Sequence, residues 1–171
     1  VMTSLILSSL AVGTIITMTS HHWLLAWIGL EMNTLAIIPI IINKHHPRTT
    51  EAATKYFLIQ AAASATILFS STINAWSTGS WDITHLTNQP ASIMLTMALS
   101  MKLGLAPVHF WLPEVLQGTS MKTALIITTW QKLAPMSLLY ITHHSLHPTI
   151  LLTMGLLSTL TGGWGGLNQT Q

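Results

Sequence analysis

Long apolar stretches recur along the whole chain, and polar residues separate them at intervals of about twenty residues. A membrane-spanning helix needs about 20 mostly apolar residues, so this pattern predicts an all-α, polytopic transmembrane helix bundle. Only 6% of the residues are charged and 50% are hydrophobic, whereas a soluble domain has about 25% charged residues. Disorder is excluded because disordered chains are poor in aliphatic and aromatic residues. The six Lys and Arg residues are spread singly, so no nucleic-acid partner is predicted.

The positions of the polar residues predict about six membrane spans. The predicted spans are Met2 to Thr19, Trp23 to Ile42, Lys55 to Asn74, Ala91 to Leu116, about Ser120 to His143, and Pro148 to about Leu167. A single membrane domain, residues 1–171, therefore accounts for the sequence. Because the chain opens with Val1 instead of methionine and stops just past the last span, we expect an incomplete chain.

The loop charges predict which way the bundle crosses the membrane. When the loops are placed alternately on two sides, the loop cations all fall on one side, namely Lys44, Arg48, Lys55 and Lys122. The loops on the other side contain no Lys or Arg. The positive-inside rule then places the loop with Lys44 and Arg48 in the cytoplasm, or in the matrix for a mitochondrial protein.

Three ionisable residues lie near the middle of the predicted spans, namely Glu31, Lys102 and Lys132. Each costs roughly 2.5 to 3.5 kcal/mol on insertion scales, and such residues usually mark a proton or ion pathway. Lysine and glutamate can exchange protons, whereas arginine does not release its proton. We therefore interpret the three residues as a candidate proton relay. In the structural alternative, Glu31 pairs with a lysine and holds two helices together.

The fourth predicted span, Ala91 to Leu116, is longer than a straight span needs. Gly104 and Pro107 interrupt it directly after Lys102, and both residues weaken a helix. We predict a helix that is discontinuous near Gly104 to Pro107, as at many transport sites. A proline kink whose backbone groups are satisfied by neighbours is the alternative. His109 follows the break, and we interpret it as a residue that passes protons to Lys102.

No metal or cofactor site is predicted in this chain. It has no cysteine, and its adjacent histidines lack the spacing and the carboxylate partner of a zinc site. No phosphate-binding loop, nucleotide fingerprint or nucleophile elbow occurs. Any enzyme activity is therefore expected to involve other subunits.

One motif consists of the run Lys102–Glu114, the Gly118-Thr-Ser after it, and Lys132. This motif resembles the central motif of the antiporter-like membrane subunits of respiratory complex I. Two further segments, Trp23–Asn33 and Glu51–Phe57, narrow the resemblance to one subunit of that assembly in animal mitochondria. The resemblance extends over essentially the whole chain.

The resemblance implies a fold of two inverted five-helix repeats, each with a broken helix and a proton half-channel. This chain would contain the first repeat and the start of the next. The resemblance implies proton-relay roles for Glu31, Lys102, Lys132 and His109. It also implies that this chain has no redox centre. NADH, flavin, iron–sulfur clusters and ubiquinone are expected on other subunits, and the setting is the mitochondrial inner membrane.

The predicted function is that of a proton-translocating core membrane subunit of respiratory NADH:ubiquinone oxidoreductase. Its partners would be the other membrane subunits of complex I and the lipid bilayer. Two other classes stay open. A subunit of a stand-alone cation/proton antiporter would use the same charges but would exchange ions without NADH. A purely structural membrane spacer would tolerate neutral residues at all three buried positions.

Overall fold

A computed structural model describes residues 2–42 and 46–168, which form eight α-helices. The helices are α1 (Met2–Thr19), α2 (Trp23–Ile42), α3 (Pro47–Thr78), α4 (Gln89–Leu103), α5 (Trp111–Gly118), α6 (Met121–Thr128), α7 (Trp130–Thr142) and α8 (Pro148–Leu167). The prediction of an all-α fold is confirmed. Helices α2, α3 and α8 are each long and apolar enough to cross a membrane.

The six predicted spans are all present as helical segments. The first, second and sixth coincide with α1, α2 and α8. The fourth consists of α4 and α5 with a break between them, and the fifth consists of α6 and α7. The chain is therefore a polytopic transmembrane helix bundle, as the apolar pattern predicts.

The third span extends beyond the predicted Lys55 to Asn74 at both ends, since α3 has 32 residues. At its start, His46 Nδ1 accepts a hydrogen bond from the backbone N–H of Arg48 at 3.3 Å, and Pro47 occupies the first helical turn. At its end, Gly79 adopts a left-handed cap with φ of 72°. A helix of this length is about 48 Å long, so its ends extend past the roughly 30 Å hydrocarbon core.

The fifth span, predicted from about Ser120 to His143, is present but is divided at Thr129 into α6 and α7. At this point the backbone N–H of Lys132 donates a hydrogen bond to the carbonyl of Thr129, three residues earlier, with 3.2 Å between nitrogen and oxygen. Pro135 follows inside α7 and has no N–H to donate to the carbonyl of Gln131. Proline also disturbs the helical turn that precedes it, which explains why the helix is interrupted in this stretch.

Two apolar cores lie toward opposite ends of the bundle. One core includes Trp23, at the start of α2, together with residues of the connections, including Ile83, Leu86 and Leu146. The other core includes Ile41, at the end of α2, together with residues of α3, α5 and α6, including Ala52, Trp111 and Ile127. Helices α2, α3, α4 and α7 also contain buried polar side chains, among them Asn33, Gln60, Lys102 and Gln131.

The loops without Lys or Arg meet at one end of the bundle. The backbone N–H of Ile83 donates to the carbonyl of His21 at 3.1 Å, which joins the first loop to the loop before α4. In this second loop, the backbone N–H of Thr84 donates to Asp82 Oδ1 at 3.1 Å. This bond holds the pKa of the Asp82 carboxyl below its usual range.

The cationic residues meet at the other end. Gly118, at the end of α5, packs so closely on the start of α3 that a Cβ there would lie 2.9 Å from the Arg48 carbonyl oxygen. Lys55 is two turns further along α3, and Lys122 begins the next helix after Gly118. The two ends therefore differ in charge as the loop pattern predicts, while Lys44 lies outside the described residues.

Candidate functional site

Helix α4 ends inside the bundle because Gly104 adopts a left-handed conformation with φ of 72°. The N–H groups of Gly104 and Leu105 donate to the carbonyls of Met101 (3.2 Å) and Ser100 (3.0 Å), the hydrogen-bond pattern of a Schellman cap. The predicted discontinuity is confirmed, and Gly104 is the residue that ends the helix. Pro107 lies three residues later, where it prevents the helix from resuming at once.

Lys102 occupies the last turn of α4, directly before this cap. Its side chain is 3% exposed, and its Nζ has no hydrogen-bond partner within the described ranges. Removing an ammonium group from water costs several kcal/mol, and a buried charge needs compensating partners. A residue with only a packing role would have no reason to carry this cost, so Lys102 is the centre of the candidate site.

A cavity of about 10 Å³ lies beside Lys102. Side chains of α2, α3, α4 and α7 line it, namely Leu30, Asn33, Thr34, Gln60, Lys102, Gln131 and Pro135. The polar groups of this lining are one ammonium, one hydroxyl and three amides. The cavity thus brings polar groups from four helices to the point where α4 is interrupted.

Glu31 lies on α2, one turn before Thr34, and its side chain is partly buried. The Thr34 hydroxyl donates to Glu31 Oε2 at 3.1 Å. Glu31 and Lys102 form no direct ion pair; the ion pairs found in the described part of the chain are those of Lys55. The alternative in which Glu31 pairs with a lysine and holds two helices together is therefore not seen among the described residues.

Lys132 and His109 lie outside the cavity lining. Lys132 follows Gln131 on α7 and is partly buried on a different face, because one residue along an α-helix rotates a side chain by about 100°. His109 lies in the connection between α4 and α5, where its ring stacks on Phe110 with 4.6 Å between centroids. Glu31 is likewise outside the lining and is connected to it through its hydrogen bond with Thr34. The cavity therefore contains Lys102 and none of the other three residues that the sequence predicts for the relay.

Several polar residues of the site were missed because the sequence analysis considered charged residues only. Asn33, Gln60 and Gln131 are all buried and line the cavity, and Tyr56 is buried one turn before Gln60. Asn33 and Gln60 each interrupt a mostly apolar stretch inside a predicted span, and Gln131 lies beside Lys132 near the middle of another. Uncharged polar residues at that depth are a usable signal, because they need partners inside the bundle.

A second polar cluster lies at the cationic end of the bundle, away from the cavity. Lys55 Nζ is 2.8 Å from Glu51 on α3 and 2.8 Å from Glu114 on α5. The Lys55 side chain is 41% exposed and the Glu114 side chain 55% exposed, so this is an interfacial ion pair. It joins the start of α3 to the helix that follows the break.

Replacement of Lys55 by glutamine is expected to lower the melting temperature of the assembled protein only slightly, because exposed ion pairs contribute little. The difference from wild type should shrink at high salt, since screening weakens exposed pairs. Thermal denaturation at low and high salt measures this effect. Lys122→Gln is the control, because Lys122 is exposed and outside this cluster. A large loss of stability that does not depend on salt would contradict the assignment.

Comparison with known proteins identifies the family. A family model described as NADH:quinone oxidoreductase/Mrp antiporter, TM, matches residues 20–171. The chain belongs to this family. NADH-ubiquinone oxidoreductase chain 2 of Varanus timorensis is 67% identical over 167 residues, which are 98% of this chain and 48% of that relative. This member of the NADH:quinone oxidoreductase/Mrp antiporter family therefore spans about half the length of the curated relatives that it matches.

Two solved structures have a similar fold. A chain of respiratory complex I from Thermus thermophilus with bound aureothin has a TM-score of 0.88 and 30% identity, over 96% of this chain and 39% of that chain. A chain of the Mrp complex from Dietzia has a TM-score of 0.68 and 16% identity, over 76% of this chain and 27% of that chain, which shows the fold alone. The resemblance to the antiporter-like subunits is confirmed, and the name of the relatives also confirms the narrower resemblance to one subunit.

Proposed function

We propose that this chain belongs to a proton-translocating membrane subunit of respiratory NADH:ubiquinone oxidoreductase, with Lys102 as the residue that holds a proton at the centre of the membrane. Family membership, and the relatives named NADH-ubiquinone oxidoreductase chain 2, support the assignment of the chain to this assembly. One observation carries the residue-level proposal. Lys102 is buried without a partner in the described chain, at the end of a broken helix and beside a polar cavity.

The proton chemistry uses Lys102 and Glu31 together. Lys102 binds or releases a proton at Nζ, and the Glu31 carboxylate is the charge that acts on it. The negative charge of the Glu31 carboxylate and the positive charge of the Lys102 ammonium attract each other. A charge change at one residue therefore alters the readiness of the other to transfer its proton. Conformational or electrostatic signals from the rest of the assembly would act on this pair.

His109 and Lys132 extend the pathway in this proposal. His109, in the connection after the break, exchanges protons between the cationic end of the bundle and Lys102, because an imidazole ring can both accept and donate a proton. Lys132, beside Gln131 on α7, takes the relay onward from the cavity. The chain is the first helix repeat together with the start of the next, and the second repeat contains the rest of the pathway.

The assembly supplies the redox chemistry. NADH, flavin, iron–sulfur clusters and ubiquinone bind to other subunits, and the energy of electron transfer reaches this chain through its membrane partners. In the mitochondrial inner membrane, the end with Arg48 faces the matrix, as the positive-inside rule requires.

A subunit of a stand-alone cation/proton antiporter is the second candidate. It is favoured by the family description, which includes Mrp antiporters, and by the shared fold with the Mrp complex. This candidate would exchange sodium ions for protons in vesicles without NADH. The proposed subunit requires NADH oxidation for transport.

A native gel of gently solubilised source membranes tests whether the chain belongs to the NADH-oxidising assembly. The gel is stained for NADH oxidation, and mass spectrometry locates the peptides of this chain. Co-migration with the large NADH-oxidising band is expected. Migration as a small assembly without that activity would overturn the assignment and leave the antiporter as the better account.

Replacement of Glu31 by glutamine tests the relay. The change keeps the size of the side chain but removes its negative charge, so we expect fewer protons transported per NADH oxidised. Proton uptake by sealed vesicles and NADH oxidation are measured on the same preparation. Glu51→Gln is the matched control, because Glu51 is exposed at the cationic end. Equal proton yields in the two variants would exclude Glu31 from the relay.

A further inference from the structure

A polar cleft lies between the start of α3 and α5, at the cationic end of the bundle. Its volume is about 290 Å³, and its charged walls are formed by Arg48, Glu51, Lys55 and Glu114. Lys55 Nζ is 2.8 Å from one oxygen of each carboxylate, so the other oxygen of each is left for another donor. The Arg48 guanidinium forms no ion pair with the described residues and is left for an anion.

The charges of this cleft are complementary to a zwitterion. Lys55 and its two carboxylates together have an excess of one negative charge, whereas Arg48 is positive. A ligand with a phosphate beside Arg48 and a primary ammonium beside Glu51 and Glu114 therefore compensates every charge. Guanidinium groups bind phosphate through paired hydrogen bonds, and an ammonium group offers N–H donors to carboxylates. A strongly anionic ligand would leave part of its charge unpaired.

An apolar cleft adjoins the polar one around α3. It lies between the end of α2 and the start of α3, has a volume of about 450 Å³, and is lined by side chains that include Ile38 and Phe57. Thr54 lines this cleft, and the next residue, Lys55, lines the polar one. The hydroxyls of Thr50 and Thr54 donate to carbonyls of their own helix, each at 2.8 Å. The cleft therefore offers its occupant no free polar partner, which suits a hydrocarbon chain.

The two clefts lie where phospholipid headgroups meet the hydrocarbon core. Lys55 and the exposed Trp76 are 21 residues apart on α3, about 32 Å of helix, which matches a hydrocarbon core of roughly 30 Å. Leu58 and Phe69, between them, are apolar and exposed. Tryptophan at one end and charged side chains at the other mark the two membrane interfaces. The polar cleft therefore faces headgroups, and the apolar cleft, which extends to Leu58, faces acyl chains.

We propose that the two clefts together bind one phospholipid with an ethanolamine headgroup. Arg48 binds its phosphate, Glu51 and Glu114 bind its ammonium group, and the apolar cleft takes one acyl chain. A choline headgroup fits less well, because its quaternary nitrogen has no N–H to donate to the carboxylates. The lipid connects α5 to the pair α2 and α3 at the cationic end, away from the cavity beside Lys102.

Photolabelling of the complete, partly delipidated assembly tests the site. The probe is phosphatidylethanolamine with a diazirine on one acyl chain, and mass spectrometry maps the labelled peptides. Labels are expected on residues 50–58. Unlabelled phosphatidylethanolamine should displace the probe roughly tenfold better than phosphatidylcholine, the factor that corresponds to one charge-assisted hydrogen bond. Equal displacement by phosphatidylcholine, or stronger displacement by cardiolipin, would overturn the headgroup assignment.

Replacement of Arg48 by glutamine tests the phosphate contact. Labelling of residues 50–58 should fall roughly tenfold when the probe is below saturation, because one charge-assisted hydrogen bond is lost. Lys122→Gln is the matched control, since Lys122 is an exposed cation at the same end and lines neither cleft. Wild-type labelling in Arg48→Gln would contradict the proposal.

Replacement of Thr54 by tryptophan tests the acyl-chain cleft. The indole ring fills the cleft while the charged residues stay unchanged, so labelling of residues 50–58 should be lost. Thr72→Trp is the control, because Thr72 is exposed on the same helix and also donates its hydroxyl to the carbonyl three residues earlier. Equal labelling of the two variants would exclude an acyl chain from this cleft.

A density map of the wild-type assembly provides a test that needs no variant. Phospholipid density is expected with its phosphate beside Arg48 and one chain in the apolar cleft. A helix of a neighbouring subunit in that cleft would overturn the proposal, even if every variant failed to assemble. Neither labelling nor density depends on proton transport, so a failure of this proposal leaves the proposed function standing, and the reverse also holds.

Discussion

Replacement of Lys102 by methionine is expected to remove most proton transport through this subunit, while the assembly still oxidises NADH with a soluble electron acceptor. Methionine resembles the lysine side chain in length and shape, so it fills the same buried space at the end of α4. It has no group that binds a proton. The change therefore removes the chemistry of the site without opening a cavity or leaving a buried charge.

The measurement compares proton uptake by sealed vesicles with NADH oxidation in the same preparation. Lys122→Met is the matched control, because Lys122 is an exposed lysine at the start of α6. This control should keep the wild-type ratio of protons to NADH. Normal stoichiometry in a fully assembled Lys102→Met protein would refute the proposal that Lys102 transfers protons.

Replacement of Gly29 by leucine is expected to destabilise the contact between α1 and α2 severely. A Cβ at Gly29 would lie 2.6 Å from Thr17 Cγ2 and 2.9 Å from the carbonyl oxygen of Gly13. The second neighbour is backbone, so the helices must separate to admit any side chain. Overpacking of this kind costs about 1–3 kcal/mol, and leucine adds three carbons beyond the Cβ. We expect a strongly reduced amount of assembled protein.

Gly155→Leu provides the control for this experiment. Gly155 lies inside the apolar helix α8, where a Cβ would meet no atom of the described residues within 4 Å. The same substitution should therefore leave the amount of assembled protein close to wild type. Quantitative native gels and thermal denaturation of both variants give the comparison. Equal assembly of the two variants would disprove the close approach of α1 and α2.

Helix ends were predictable wherever a single apolar run meets polar residues. Helices α1, α2 and α8 begin and end where the sequence predicts. The ends of α3 were not recognised, because His46 and Pro47 were read as loop residues although their contacts start the helix. A cap depends on backbone geometry, which apolar periodicity does not report.

The break after Lys102 was predictable because glycine acts through its own backbone. The composition of the cavity was not predictable in the same way. Whether Gln131 or Lys132 lines it depends on the rotation of α7 about its axis. That rotation is set by the interruption at Thr129 and by packing against α1 and α4. The sequence therefore located the depth of the site but not the uncharged residues that complete it.

The early end of α4 has an electrical consequence. The aligned peptide groups of a helix place about half a negative elementary charge at its C-terminus, and Lys102 lies in that last turn. In a continuous span, this partial charge would lie at the membrane surface, where water and salt screen it. Here it lies inside the bundle, where little water or salt screens it. The interrupted helix thus supplies a fixed partial charge that favours a cation beside it without the help of any acidic side chain.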